Sequence, residues 1–168
     1  MSVEAHRAHD PGPLGFAVLT VSDTRTAATD RGGPRVRALL EAAGHRVVDS
    51  GIARDEVEAI RAAVRAALAR DDCDVVVLTG GTGVAPCDVT PEALAPLLER
   101  RLDGFGELFR ALSFQAIGPA AMLSRATAGT NGRRALFALP GSPAAVELAI
   151  TRLVLPEIGH LLAQLRRS

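Results

Sequence analysis

The 168-residue sequence contains no tryptophan, no tyrosine and no lysine, and it has only two cysteines. Each absence removes a class of function. Aromatic residues make up 3% of the chain and the net charge is zero, so no basic face with stacking rings is available, and nucleic acid is not an expected partner. All 19 basic residues are arginine, which excludes a Schiff-base lysine and the lysine of a P-loop. Cys73 and Cys87 are too distant for a CxxC pair and too few for a zinc site. They read as reduced thiols, and no tightly bound structural metal is expected. No apolar run reaches the ~18 residues of a membrane span, and MSVEAHRAHDPGPLG has no apolar signal core. A cytoplasmic protein without a membrane partner is the expectation. His6 and His9, in this polar tail, read as solvated.

What remains is a chain that is 48% hydrophobic, long enough for one domain. Residues 1–14 read as a flexible lead-in and 15–168 as a single domain. FAVLTVS, HRVVDSGIA and DVVVLTG are apolar, β-branched strand candidates. Between them, Val36, Leu39, Leu40 and Ala43 recur at helical spacing up to Gly44, and Val57, Ile60, Val64 and Leu68 mark a second helix over 55–70. A third helix is expected from Pro91 to about Leu102, and a fourth over GFGELFRALSFQAIG. Two strands flank Asn131-Gly132, a hairpin signal near residues 125–139, and Ser142-Pro143 opens the first of two closing helices. The alternation predicts an α/β fold of three layers, α/β/α, with a mostly parallel sheet.

In such a sheet ligands bind beyond the carboxyl ends of the strands. Four loops fall there: Ser22-Asp23-Thr24, Ala53-Arg54-Asp55-Glu56, Gly80-Gly81-Thr82-Gly83 and Gly141-Ser142-Pro143. The glycine turn reads either as a tight strand-to-helix connection or as an anion nest, with Thr79 and Thr82 as hydroxyl donors. Thr90 and Pro91 read as the N-cap and first residue of the next helix, whose positive end faces the same place. Asp88 either orders the loop as an Asx-turn or holds Mg²⁺ beside a phosphate, and Asp55 is either a helix N-cap or a second carboxylate for the same purpose. Cys87 reads as an inert loop residue, and Arg110 as a charge partner or a structural ion pair.

Taken together, LTVSDTR, LTGGTGVAPCDVTPEAL, GFGELFRALSF, AMLSRATAG and ALPGSPAAV resemble, in this order, the MoaB/MogA family of molybdenum cofactor biosynthesis proteins. AGHRVVDSGIARDE and GELFRALSF are more similar to the MoaB branch. The resemblance spans roughly residues 15 to 165. It implies the molybdopterin-binding α/β/α fold, a homo-trimer or homo-hexamer, and molybdopterin and ATP as substrates. In active members molybdopterin is adenylylated with Mg-ATP, releasing pyrophosphate. A molybdate-inserting enzyme of the pathway is a further expected partner. Asp55 in ARDE and Asp88 in CDVTPE match the family's two important aspartates, Thr82 its loop threonine and Ser124 the serine of LSR. On this reading Asp55 and Asp88 are catalytic, with Asp88, and Asp55 beside it, on Mg²⁺. Thr79, Gly80, Gly81, Thr82 and Gly83, with Thr90 and Pro91, hold phosphate. Ser22, Asp23, Gly104, Phe105, Gly106, Glu107, Ser124, Pro140, Gly141, Ser142 and Pro143 shape the pterin and nucleotide pockets. The alternative is a carrier that binds molybdopterin without chemistry. The chain departs from the family at Ala85-Pro86-Cys87, where a charged or glycine-bearing stretch is more usual.

Overall fold

The computed structural model describes residues 12–167; His6 and His9 lie outside them. Six strands form one sheet in the order β2-β1-β3-β6-β5-β4. These are β1 (Gly15–Val21), β2 (Arg46–Ala53), β3 (Val75–Thr79), β4 (Arg100–Arg101), β5 (Thr127–Asn131) and β6 (Arg134–Leu139). β2, β1, β3 and β6 run parallel, while β5 pairs antiparallel with both β6 and β4. The hairpin at Asn131-Gly132 is as expected, with Gly132 at φ +55° in its turn.

Side chains alternate through the sheet with period two, so each strand feeds both layers. Phe16, Val18, Val75, Val77, Phe137 and Leu139 face one side. There they meet α1 (Gly32–Ala42), α4 (Asp103–Ile117), α5 (Pro143–Ala149) and α6 (Leu155–Leu165). Ala17, Leu19, Val76, Leu78 and Leu136 face the other, against α2 (Val57–Leu68) and the short α3 (Thr90–Leu94). Leu14, placed in the lead-in by the sequence reading, is 2% exposed and joins the first of these cores.

The helix expected from Pro91 to Leu102 does not form at that length. α3 stops at Leu94, a 3-10 turn spans Ala95–Leu97, and β4 adds a strand that the sequence did not announce. Pro96 is the cause: it has no N–H for the carbonyl of Glu92 and its ring crowds that position. Arg61 of α2 takes up the freed acceptors, donating to the carbonyls of Glu92 at 3.3 Å and Ala93 at 3.2 Å. A 3-10 segment over Gly118–Leu123, also unexpected, follows α4. The two closing helices are continuous through a π turn over Ile150–Val154. The N–H of Leu155 reaches back to the carbonyl of Ile150 just ahead of Pro156, a widened turn that makes room for the ring.

The placement of helices fixes where a ligand can bind. β1 and β3 are neighbours, yet the helices that follow them pack on opposite faces, α1 on one and α3 on the other. Their loops therefore diverge and leave a crevice at the carboxyl edge, the usual ligand position in an open α/β sheet.

Candidate functional site

The crevice is floored by the turn after β3. Gly80 and Gly81 have φ +108° and +64°, two successive residues in backbone conformations that favour glycine. Gly80 also has to be a glycine on grounds of space: a Cβ there would lie 2.3 Å from the carbonyl oxygen of Val21. Gly83 keeps a negative φ and serves differently, because its missing Cβ leaves room for the Asp88 carboxylate, whose Oδ2 lies 2.6 Å from that position. Asp88 Oδ2 accepts the N–H of Ala85 at 2.9 Å, so the Ala85-Pro86-Cys87 departure sits inside a small closed loop.

The hydroxyls of the two flanking threonines, Thr79, read from sequence as a donor to a ligand, and Thr90, read as a helix N-cap, are both taken by backbone carbonyls. Thr79, fully buried, donates to the carbonyl of Pro140 at 3.2 Å, joining the β3 and β6 loops. Thr90, equally buried, donates to the carbonyl of Gly80 at 2.9 Å, and its N–H bonds to Gly81. Val89 occupies the N-cap position expected for Thr90. The buried hydroxyls, with the bond from the Gly80 N–H to the Leu139 carbonyl at 2.9 Å, hold the turn in shape. Thr82 is 2% exposed at the end of the turn, and its carbonyl accepts the N–H of Arg125.

On one flank lie three aspartates. Asp55 is not the N-cap of α2; Glu56 holds that position, and no side chain caps the helix. Instead Asp55 and Asp23 bond each other's backbone: the Asp23 N–H donates to Asp55 Oδ2 at 3.0 Å, and the Asp55 N–H to Asp23 Oδ1 at 3.1 Å. Ser22 orders the same loop, its Oγ accepting the N–H groups of Thr24 and Arg25. Asp55 Oδ1 lies 3.1 Å from the position of a Cβ on Gly81, against the nest. Burial pushes the Asp55 carboxyl above its ordinary pKa, and the charges of Asp23 and Asp88 add to this, while the Asp23 N–H opposes it.

That shift carries a stability prediction. A carboxyl whose folded pKa exceeds its unfolded value gives stability below the unfolded pKa, near 3.8, and loses it as pH rises through the folded pKa. Asp55→Asn is therefore expected to raise the urea midpoint of the ligand-free protein at pH 7, with the gain shrinking toward pH 4. The amide oxygen still accepts the Asp23 N–H. A lower midpoint at pH 7 would show that the carboxylate is held in place by favourable contacts.

On the other flank sits Arg25, which donates to the carbonyl of Gly141 at 3.4 Å and pairs with Asp30 at 3.6 Å. Asp30 accepts the N–H groups of Gly32 and Gly33 at the start of α1 and the Thr20 hydroxyl at 2.6 Å. Neither residue was singled out from sequence, although Asp30 directly before Arg-Gly-Gly has the spacing of a helix-start carboxylate. Ser142 caps α5 as expected, accepting the Ala145 N–H at 3.2 Å, with Pro143 at the first turn.

A second opening, a cleft of about 600 Å³, adjoins the crevice and is lined by Pro91, Gly106, Glu107, Arg110, Ser124 and Arg125 among others. Phe105 does not shape it; its ring packs edge-on against Phe137 at 5.2 Å in the core. Gly104, at the exposed start of α4, meets no atom within 4 Å of a built Cβ. Gly106 permits Arg110 to fold back over the helix, where it bonds the carbonyls of Ser124 and Ala126 rather than an acid. Cys73 is buried and Cys87 exposed; both are free.

A glycine turn at the switch point of the sheet of a three-layer α/β/α domain, with carboxylates on one side and arginine on the other, places this chain among the open α/β domains whose carboxyl edge is the ligand position. The sequence matches the family model described as "Probable molybdopterin binding domain" over residues 17–160. The chain belongs to the MoaB/MogA family of molybdenum cofactor biosynthesis proteins, closer to MoaB than to MogA. It is 48% identical to Molybdenum cofactor biosynthesis protein B of Halalkalibacterium halodurans, over all of this chain and 99% of that protein. With the protein of the same description from Bacillus subtilis it shares 45%, over 100% and 99% of the two chains. A crystal structure of a Molybdenum cofactor biosynthesis protein B superposes with TM-score 0.91 at 46% identity, covering 95% of this chain and 99% of that one. The tungsten cofactor synthesizing protein MoaB from Pyrococcus furiosus gives 0.83 at 35%, covering 94% and 100%.

Proposed function

We propose that this protein of molybdenum cofactor biosynthesis binds molybdopterin at the carboxyl edge of its sheet, with the terminal phosphate on the Gly80–Gly83 turn. The observation that carries this is the turn itself: two successive glycines at positive φ, with the Gly80 carbonyl held by the buried Thr90 hydroxyl and the Gly80 N–H by the Leu139 carbonyl, so that the N–H groups after Gly80 are the ones offered to a phosphate. Charge-assisted bonds of this type contribute about 1.5–3 kcal/mol each. Calorimetric titration should therefore give saturable binding of molybdopterin, and at least about tenfold weaker binding of the dephosphorylated pterin. Equal affinities would overturn the phosphate seat.

A second reading adds chemistry, and the placement of Asp55 and Asp88 beside the turn favours it. In adenylyl transfer, a terminal phosphate oxygen of molybdopterin bonds to the α-phosphorus of ATP while the bond from that phosphorus to the bridging oxygen breaks. Pyrophosphate departs with the electron pair. The second pKa of a phosphate monoester is about 6, so the nucleophile is ionised at neutral pH and no histidine base is needed. Bringing two anions together is the obstacle. Asp55 and Asp88 are hard oxygen donors, and among the described residues no group of three or more such side chains closes around a cation. Mg²⁺ is typically bound by one or two carboxylates together with phosphate oxygens, a role that these two side chains can fill. Mg²⁺ bound there would supply charge neutralisation for the leaving pyrophosphate. The chain's own part is to seat one phosphate on the turn amides, to aim the Asp55 and Asp88 carboxylates across it, and to order the flanking loops through Ser22 and Ser142.

A further inference from the structure

We propose that Arg125 is a positioning residue, a clasp that aims the Asp88 carboxylate at the glycine turn; this rests on the adenylyl-transfer reading and deepens it. Arg125 precedes β5 and reaches across to the turn. Its N–H donates to the Thr82 carbonyl at 2.8 Å and its Nε to the Gly83 carbonyl at 2.7 Å. One terminal nitrogen donates to the carbonyl of Asp88 and the other to the carboxylate of Glu92 on α3. A single side chain thus ties both ends of the loop that carries Asp88 to the helix that follows it.

The pattern of acceptors separates a clasp from an ion pair. The guanidinium bonds the backbone carbonyl of Asp88, while the Asp88 carboxylate is bonded by the Ala85 N–H. An arginine on the carboxylate itself would cancel the charge that a cation needs; this one fixes the residue and leaves the charge available. The planar fork matters, since its three nitrogens each reach a different acceptor, whereas the three donors of a lysine sit on one nitrogen. Glu92 anchors the far end of the fork, and the bond from Arg125 holds its carboxyl below the usual range. Arg125 also lines the cleft beside α4, so the clasp stands between the two openings.

The test uses the full chain with Arg125→Lys and Glu92→Gln. In Arg125→Lys the amides of Ala85 and Asp88 are expected to exchange hydrogen at least tenfold faster, with those of β3 unchanged. The kcat of pyrophosphate release should fall at least tenfold, KM for molybdopterin should stay within twofold, and the Mg²⁺ midpoint should rise. Faster exchange with unchanged kcat and Mg²⁺ midpoint would overturn the proposal, leaving Arg125 as a plain loop staple. Should Arg125→Lys not fold, Glu92→Gln, which frees one end of the fork, should give the same pattern at smaller amplitude, and a flat response would equally overturn it. If the wild-type protein releases no pyrophosphate, adenylyl transfer fails independently. The clasp is then decided by Mn²⁺ binding in the presence of ATP, measured by water proton relaxation: tenfold weaker binding in Arg125→Lys supports it, and equal binding overturns it.

Discussion

Asp88→Asn is expected to lower the rate of pyrophosphate release from molybdopterin and Mg-ATP by about two to three orders of magnitude, the usual loss when one electrostatic group of a transfer site is removed. The substitution isolates charge from shape. Asparagine occupies nearly the same volume, fits the space left by Gly83, and can accept the Ala85 N–H through its amide oxygen. The loop therefore stays closed, and molybdopterin affinity should change by only a few fold. Asp55→Asn is expected to act in the same direction, its partner Asp23 being retained through the same kind of bond. If both variants keep the wild-type rate, neither carboxylate takes part in transfer; a wild-type protein that releases no pyrophosphate would instead be a molybdopterin binder alone. The contrast with folding is itself informative: Asp55→Asn should gain stability while losing rate, as expected where a site holds like charges together for function.

Gly80→Ala should be strongly destabilising. At φ +108° an L-residue is strained, and the added Cβ would sit 2.3 Å from the carbonyl oxygen of Val21. Neither side can yield. Val21 ends a fully buried strand, and Gly80 is pinned by its N–H to Leu139 and its carbonyl to Thr90. Backbone strain of about 1–2 kcal/mol and a clash of similar size give a loss of about 3 kcal/mol, or roughly 6–12 °C in Tm for a domain of this length. Gly132→Ala is the control: it also has positive φ, +55°, but meets no atom within 4 Å, so only the strain remains. Thermal melts of the two variants should differ clearly. Equal melting temperatures would mean that the β3 turn has slack, and with it that the nest is not pre-formed.

The strands β1, β3 and β6 were legible because residues buried on both faces leave a continuous apolar run, and the helices α1 and α2 because one apolar stripe recurs at helical spacing. Ser142-Pro143 was legible as a helix start because its chemistry is local. β4 was not: two exposed arginines carry no strand signal, and what makes them a strand is pairing with β5. The same limit hid Arg125 and Asp30. Their roles depend on carbonyls and amides brought near by the fold, and a lone arginine or aspartate in a polar stretch looks like any solvated charge. It also misread two threonines: the Thr79 hydroxyl, read as a donor to a ligand, is claimed by the β6 loop, and Thr90, read as a helix N-cap, gives its hydroxyl to the turn's own carbonyl.

The sequence by itself therefore determined the layered α/β class, the glycine turn, the two aspartates and the family to which the chain belongs, since these depend on short-range pattern and on residue identity. Only the tertiary structure decided which groups at that edge are spent on holding the loops and which are left to face a ligand. Hydrogen bonds between loops distant in the chain consume donors and acceptors one by one, and that accounting exists only once the strands have been set side by side.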